Sequence, residues 1–586
     1  MFLPTTPEEL KRKNIKQLDI IIVSGDTYID NPFIGASIIG KYLYANGFTV
    51  GIIAQPNISN GYDIKRLGEP KLFWGVTGGS VDSMVANYTA SLKKRKSDDF
   101  TPGGLNNKRP DRAVIKYSNL IRQHFKNTVP IVLGGIEASL RRIAHYDYWS
   151  DKIRKSILLD AKADFLIYGM GEKATLNLAK ALKEKSDPKQ VKGLCYLSTI
   201  PPKDFYILPS FDEVYSNKDL FIKMFDVFYK NNDPLNSTGL VQKYDNRYWI
   251  QNPPEKYLTQ KELDEIHRLD FERSVHPYYA KEGKVKATET INFSITSHRG
   301  CYGECNFCAI AVHQGRTIRW RSKKSILTEA KHLTEHKEFK GYIFDVGGPT
   351  ANMYGYECEK KLEDGACKNK RCIFPNKCNL LKVNHSEQIA LLNEIKSIKG
   401  IKKVFVASGL RYDLILEDKK FGHKYLENLI KNNISGQLKI APEHTSETVL
   451  AKMGKPSNSN LIKFTNEFYR INKKNNLKQF LTYYFIAAHP GCGIKEMKEL
   501  KSFVATNLKL NPEQVQIFTP TPSTYSTLMY FTEKDISSSE NIFVEKKLGM
   551  KIKQKKILQE SINKGFNKLK QINSNKKNQK KSSTKR

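Results

Sequence analysis

The sequence predicts an α/β protein. An open parallel sheet comes first, a second series of βα units follows in a full or partial (βα)6 barrel of TIM type, and a basic tail ends the chain. Three observations predict this. Short β-branched apolar runs alternate with segments of helical period, most of those runs end in glycine, and the alternation restarts near residue 288.

The first run, "LDIIIVSGD" (18–26), is apolar at successive positions, as a strand buried on both faces must be. "IGASIIGKYLYANGF" (34–48) has apolar groups at helical spacing and stops at Asn46-Gly47, and "TVGIIAQP" (49–56) is strand-like up to its proline. The rhythm returns in "KLFWGVTGG" (71–79), "VPIVLGG" (129–135) and "ADFLIYGMGE" (163–172). The glycines that close these strands are expected to serve tight turns, since no GxGxxG fingerprint accompanies them. This N-terminal α/β domain is assigned to 1–200. Residues 201–287 are less regular, rich in prolines and aromatics ("IPPKDFYILPSF", "YWIQNPPEKYLTQKELDEIHRL"), and are expected to bridge the units on either side.

The barrel is assigned to 288–535. Its expected strands are "INFSIT" (291–296), "GYIFDVGG" (341–348), "KKVFVASG" (402–409), "GQLKIAPE" (436–443), "FLTYYFIAAHPG" (480–491) and "VQIFTPTP" (515–522), with helical stretches between them. Six βα units in succession imply parallel strands with right-handed crossovers, and a catalytic face at the strands' C-terminal ends. Residues 536–586 form a Lys-rich tail, whose last dozen residues have almost no apolar groups and are expected to be solvated and disordered.

Composition bounds the function. With 586 residues and 39% hydrophobic content the chain can build two or three cores. No run approaches the roughly 18 apolar residues of a membrane span, and "MFLPTTPEELKRK" lacks a signal-peptide core. A cytoplasmic location is expected, where thiols stay reduced and grouped cysteines point to metal or redox chemistry. The formal charge of +36 suggests nucleic-acid contact through phosphate neutralisation, although lysine is abundant along the whole chain.

Three of the nine cysteines fall within "SHRGCYGECNFCAI" (297–310), at Cys301, Cys305 and Cys308. Thiolates suit iron–sulfur clusters and zinc, and a closed structural site needs four ligands. Three on one loop can hold three corners of a cubane and leave its fourth iron open. The alternative is a zinc site completed by His298 or His313. A second group, Cys358, Cys367, Cys372 and Cys378, lies in a polar insertion at 357–385 after the second barrel strand. Four thiolates can close a zinc site or hold an auxiliary iron–sulfur cluster; free thiols are the other reading.

The triplet, with Phe307 before its last cysteine and a strand before its first, resembles the signature of radical SAM enzymes. The architecture as a whole is similar to the YgiQ-type radical SAM proteins. "YIDNPFIGASIIGKYLYANGFTVGIIAQP", "VLGGIEASLRRIAHYDYWSDKIRKSILLDAKADFLIYGMGE" and the four-cysteine insertion carry that likeness over nearly all of 1–530. The resemblance implies a partial (βα)6 barrel, a 4Fe-4S cluster on Cys301, Cys305 and Cys308, and S-adenosylmethionine (SAM) on the open iron. It also implies an electron donor such as flavodoxin or ferredoxin. Reductive cleavage of SAM would yield methionine and a 5′-deoxyadenosyl radical acting on an unknown substrate.

Gly347 and Gly348 in "DVGGP" resemble the motif that receives the methionine amino group, with Pro349 where a Glu often stands. Ser408, Arg411 and Glu443 fall where related enzymes contact the ribose or carboxylate of SAM. The N-terminal domain resembles cobalamin-binding modules in layout, but "GDTYIDNPFIG" has no histidine two positions after Asp26 or Asp30. Glu137, Arg141, Arg142, His145 and Asp147 are expected to form ion pairs at a domain seam. From another class, the competing function is a non-catalytic zinc and nucleic-acid-binding protein that uses both cysteine groups structurally.

Overall fold

The computed structural model describes residues 1–512 and 514–560. The last dozen residues, expected to be solvated, lie outside the described residues. No described helix is long and apolar enough to cross a membrane.

The N-terminal sheet has nine strands: β1 (Ile20–Ser24), β2 (Val50–Ala54), β3 (Phe73–Thr77), β4 (Ile131–Gly134), β5 (Phe165–Ile167), β6 (Leu194–Ser198), β7 (Tyr206–Ile207), β8 (Leu240–Tyr244) and β9 (Arg247–Gln251). Their order is β7-β8-β9-β6-β5-β4-β3-β1-β2. The segment β2-β1-β3-β4-β5 is parallel throughout. Alternate residues of these strands enter separate cores. Ile21, Val23, Trp74, Val76, Ile131 and Leu133 pack on one face, and Ile20, Ile22, Phe73 and Val132 on the other. Burial on both faces is why the sequence shows unbroken apolar runs here.

Residues 201–287 do more than bridge. They supply β7, β8 and β9, and the antiparallel pairing of β9 with β6 and of β6 with β5 carries the sheet onward. The helix Gln260–His267 then leads toward the second unit, where the backbone N–H of Ser322 donates to Asp264.

The second unit contains β10 (Ser294–Thr296), β11 (Tyr342–Ile343), β12 (Asp345–Gly347), β13 (Lys403–Val404), β14 (Gln437–Glu443), β15 (Phe480–Ala487) and β16 (Gln514–Ile517). β10 pairs with β12, β11 with β13, and β14 with β15 and β15 with β16, all in parallel. A parallel bridge from Leu410 to Ile440 joins the two groups. Since β11 and β12 are successive parts of one extended stretch, this is the six-position partial barrel.

Tyr146 stacks on Phe531 at 4.9 Å, and the hydroxyl of Ser523 donates to the carbonyl of Leu140 at 2.7 Å, so the two units meet along "SLRRIAHYDYW". Arg141 lies beside Asp82 and Asp147 at 2.9 Å each within that seam. The start of the basic tail is ordered. Helix Leu548–Gln559 packs on the barrel with Lys551, Gln554 and Leu558 buried. The Gln554 carboxamide accepts from the Ala488 N–H at 2.9 Å and donates to the Cys492 carbonyl at 3.1 Å.

Candidate functional site

The cysteine loop leaves the C-terminal end of β10. Gly300 sits at φ 85°, and a Cβ there would come within 2.4 Å of the Thr317 carbonyl, so only glycine lets the loop pass. The turn then tightens as the Cys308 N–H donates to the Cys305 carbonyl at 2.9 Å. Asn306 anchors it across the barrel, its backbone N–H donating to Met453 and its side chain to Lys452, each at 2.8 Å.

The four-cysteine insertion braces the same loop. The Arg371 guanidinium donates to the Glu304 carbonyl at 3.1 Å, and Cys301 and Cys372 pack against one apolar cluster that includes Tyr302, Cys358 and Ile373.

Cys301, Cys305 and Cys308 line one cavity of about 180 Å³, together with Phe307, Arg411 and Glu443. Burial pushes the Cys301 thiol up, and the Cys308 thiol up to about 12. Apolar surroundings disfavour bare thiolates, and a bound cation would reverse that.

Arg411 is fixed by Asp413 through two hydrogen bonds of 2.9 and 2.6 Å, with its third nitrogen 3.7 Å from the Cys305 sulfur. Burial opposes its charge, but the Asp413 carboxylate more than offsets that, so it stays protonated. Glu443 sits at φ 67°, an uncommon backbone for a non-glycine residue, where the β14–β15 register shifts. One of its oxygens is buried without a partner, the other is 3.8 Å from Lys455, and burial raises the carboxyl to about 7. A buried acceptor with no donor is costly in an empty protein and useful if a ligand supplies the donor.

The other three expected residues lie next door. Gly347, Gly348 and Ser408 line a separate cavity of about 520 Å³ between the barrel and the N-terminal sheet, and the two cavities share Ile310 and Pro349 as walls. The Ser408 hydroxyl donates to Asp345. Gly348 is needed for packing: a Cβ there would meet the His298 carbonyl and ring nitrogen, each at 2.6 Å.

The zinc alternatives find no convergence. Among the described residues, no three His, Cys, Asp or Glu side chains come together as ligands for one ion. His298 is hydrogen-bonded to the Thr350 carbonyl at 2.9 Å and His313 to Ser139 at 3.1 Å. In the second group Cys358 is buried and Cys367 exposed, while Cys372 lies 3.5 Å from the Lys361 ammonium. A cubane differs from a single ion in this respect, since its corners hold thiolates apart. The triplet on one cavity wall, with an open side toward Arg411 and Glu443, suits that group. In the N-terminal unit Asp26 pairs with Arg109 at 2.8 Å and Asp30 with Lys41 at 2.9 Å.

The strand-end glycines do serve turns, Gly79, Gly135 and Gly169 having φ of 104°, 80° and 74°. Together with Gly134 they also line the larger cavity, which the sequence did not show. The strand order 2-1-3-4-5 could have found them, because such a sheet opens a crevice where the order reverses.

Residues 2–294 match the Radical SAM N-terminal family, and residues 295–504 the Radical SAM superfamily. A UPF0313 protein from Fusobacterium nucleatum is 58% identical over 560 residues, spanning 95% of this chain and 99% of that protein. One from Thermotoga neapolitana is 49% identical over 558 residues, 95% of this chain and 98% of the relative. Among solved structures, the radical S-adenosylmethionine methyltransferase TsrM from Kitasatospora setae, with cobalamin and a 4Fe-4S cluster bound, aligns with TM-score 0.49 and 13% identity. That alignment covers 86% of this chain and 73% of TsrM.

Proposed function

The chain belongs to the radical SAM superfamily and, within it, to the UPF0313 family, and from that premise we propose that Cys301, Cys305 and Cys308 bind the 4Fe-4S cluster of an enzyme that cleaves SAM reductively. The family's cofactors are that cluster and SAM. When bound, they would supply one-electron chemistry: with an electron from a donor such as flavodoxin or ferredoxin, the sulfonium bond to the 5′ carbon would be cleaved to methionine and a 5′-deoxyadenosyl radical able to take hydrogen from a substrate.

One observation carries the reading. Three thiols, a fixed guanidinium and a carboxylate with a spare acceptor line the same cavity beside the barrel strands' C-terminal ends. Arg411 brings a permanent positive charge to the Cys305 sulfur and offers a site for a carboxylate. Glu443 presents its unpartnered oxygen to an amine or hydroxyl. Phe307 fills the apolar wall and keeps water from the thiols. Gly347, Gly348 and Ser408 stand on the border between the two cavities, where backbone and a small hydroxyl let SAM lie against that border from the cysteine side.

Anaerobically purified Cys305→Ala should lose the visible absorption of the cluster and the formation of 5′-deoxyadenosine with SAM and dithionite. Wild-type iron content and absorption in that variant would remove the assignment. Brown wild-type protein that releases 5′-deoxyadenosine would also exclude the structural zinc protein.

A further inference from the structure

The larger cavity has features that the cysteine site does not explain. It lies outside the C-terminal ends of β1, β3, β4 and β5, at the point where the order 2-1-3-4-5 reverses between β1 and β3. Open α/β sheets bind ligands at that place. Its floor is backbone as much as side chain, because β4 ends in Gly134 and β3 and β5 are followed by Gly79 and Gly169. Ile22, Phe33, Ile39, Phe73 and Val132 make the walls apolar. A Cβ placed on Gly134 or Gly35 would meet no heavy atom within 4 Å, so at both positions the space beside the backbone is open.

The barrel forms the opposite wall, and facing it, at the start of the helix Glu172–Glu184 that follows β5, stands a carboxylate with one oxygen that neither a donor nor a cation reaches. Glu172 is 2% exposed; one oxygen is paired with Arg299, two residues before Cys301, while the other has no hydrogen-bond partner. A buried carboxylate oxygen without a donor calls for one from a ligand.

We propose that this cavity is the substrate site, and that it takes a small, flat, largely apolar molecule carrying an N–H or O–H donor for Glu172. The shape follows from the glycine floor, the apolarity from the walls, and the donor from the orphan oxygen. A volume of about 520 Å³ admits a small molecule and excludes a folded RNA or protein segment from its depth. The word substrate rests on the radical SAM reading, since the cavity touches the cysteine pocket through Ile310 and Pro349.

The test separates the two claims by using the full chain without cluster or SAM first. N-phenyl-1-naphthylamine, flat, apolar and bearing one N–H, should bind with saturable fluorescence at one site. Gly134→Leu and Gly35→Leu should each weaken it by about tenfold or more by filling the space, as an added group in a closed pocket does. Gly549→Leu, on an exposed face of the C-terminal helix, should not. The N-methylated probe should bind about tenfold more weakly than the parent, having lost a hydrogen bond to a charged acceptor.

Non-saturable binding, or unchanged affinity in both cavity-filling variants, overturns the proposal. Equal affinity for the methylated probe overturns the donor requirement. After anaerobic reconstitution, Gly134→Leu should keep its iron and its SAM binding by equilibrium dialysis. Loss of SAM binding together with probe binding would give the cavity to SAM and overturn the substrate assignment. Wild-type protein that holds no cluster would overturn the radical reading while the probe result stood.

Discussion

Gly347 and Gly348 are adjacent, look equivalent in the sequence, and should respond differently to alanine. Neither has a positive φ, so the difference lies in what a methyl group meets. At Gly348 it would come within 2.6 Å of both the His298 carbonyl and its ring nitrogen. The carbonyl belongs to backbone next to β10 and cannot swing away as a side-chain tip can. The ring holds hydrogen bonds of 2.9 Å to the Thr350 carbonyl and 2.9 Å to Ser297, which displacement would break. Overpacking costs about 1–3 kcal/mol and each of the two lost hydrogen bonds about 1 kcal/mol, giving a loss of about 3–5 kcal/mol.

At Gly347 the nearest atoms the new methyl meets belong to Ala351 and Ser408 at 3.5 Å, ordinary contact distance. The change there should be within about 0.5 kcal/mol, helped by the lower chain entropy of alanine when unfolded. Thermal unfolding of the full chain reads both. Gly348→Ala should melt about 6–20 °C lower at roughly 2–4 °C per kcal/mol, and Gly347→Ala should melt with wild type. Equal melting of all three proteins would refute the packing argument, and so would the opposite ranking.

Four further outcomes follow. Because Glu443 has its folded-state carboxyl raised to about 7 from 4.5, its contribution to stability is fully present below pH 4.5 and lost as pH rises through 7. Before cofactor loading, Glu443→Gln should therefore gain up to about 3 kcal/mol over wild type near pH 8.5 and little below pH 5; a pH-independent difference in melting would count against it. Arg411→Met removes the charge 3.7 Å from the Cys305 sulfur, so an EPR redox titration should place the cluster lower by on the order of tens of millivolts, and an unchanged potential would show that the guanidinium is not felt. Cys367→Ser, at an exposed thiol, should leave about four irons per chain, one cubane's worth; metal lost with that residue would mean that the second cysteine group closes on binding. Truncation after Lys547 strips the Ala488 N–H and the Cys492 carbonyl of Gln554 and should lower the melting temperature, while a shortened chain as stable as the whole would make the helix dispensable.

How legible each part was depended on whether its physics is local. The cysteine triplet was plain because a cluster held by one loop needs its ligands within a few residues, and composition marks them. The parallel strands were plain because burial on both faces writes unbroken apolar runs. The β8–β9 hairpin had a local signal that went unused: "LVQKY" and "RYWIQ" flank Asp245-Asn246, and Asp245 sits at φ 51°, as two-residue hairpin loops require. The C-terminal helix was hidden because its lysines dominate the composition, although Lys551 lies buried between the rings of Tyr148 and Tyr530. A long aliphatic stem can pack among aromatics while its ammonium finds a hydroxyl, here that of Tyr530 at 2.7 Å.

The larger cavity was illegible for a deeper reason. Its walls come from residues as far apart as Ile22 and Ser408, and no window of sequence contains them together. Only the order of strands brings them to one crevice, and that order depends on which edge of β1 each later strand joins. β2 takes one edge and β3 the other, so the chain reverses direction across the sheet and leaves a gap above β1. The barrel then covers that gap, with Arg299 tied to Glu172 from two residues before the first cysteine of the loop. The same ion pair therefore joins the cluster loop to the cavity wall, and a change at Glu172 should be felt on both sides of it.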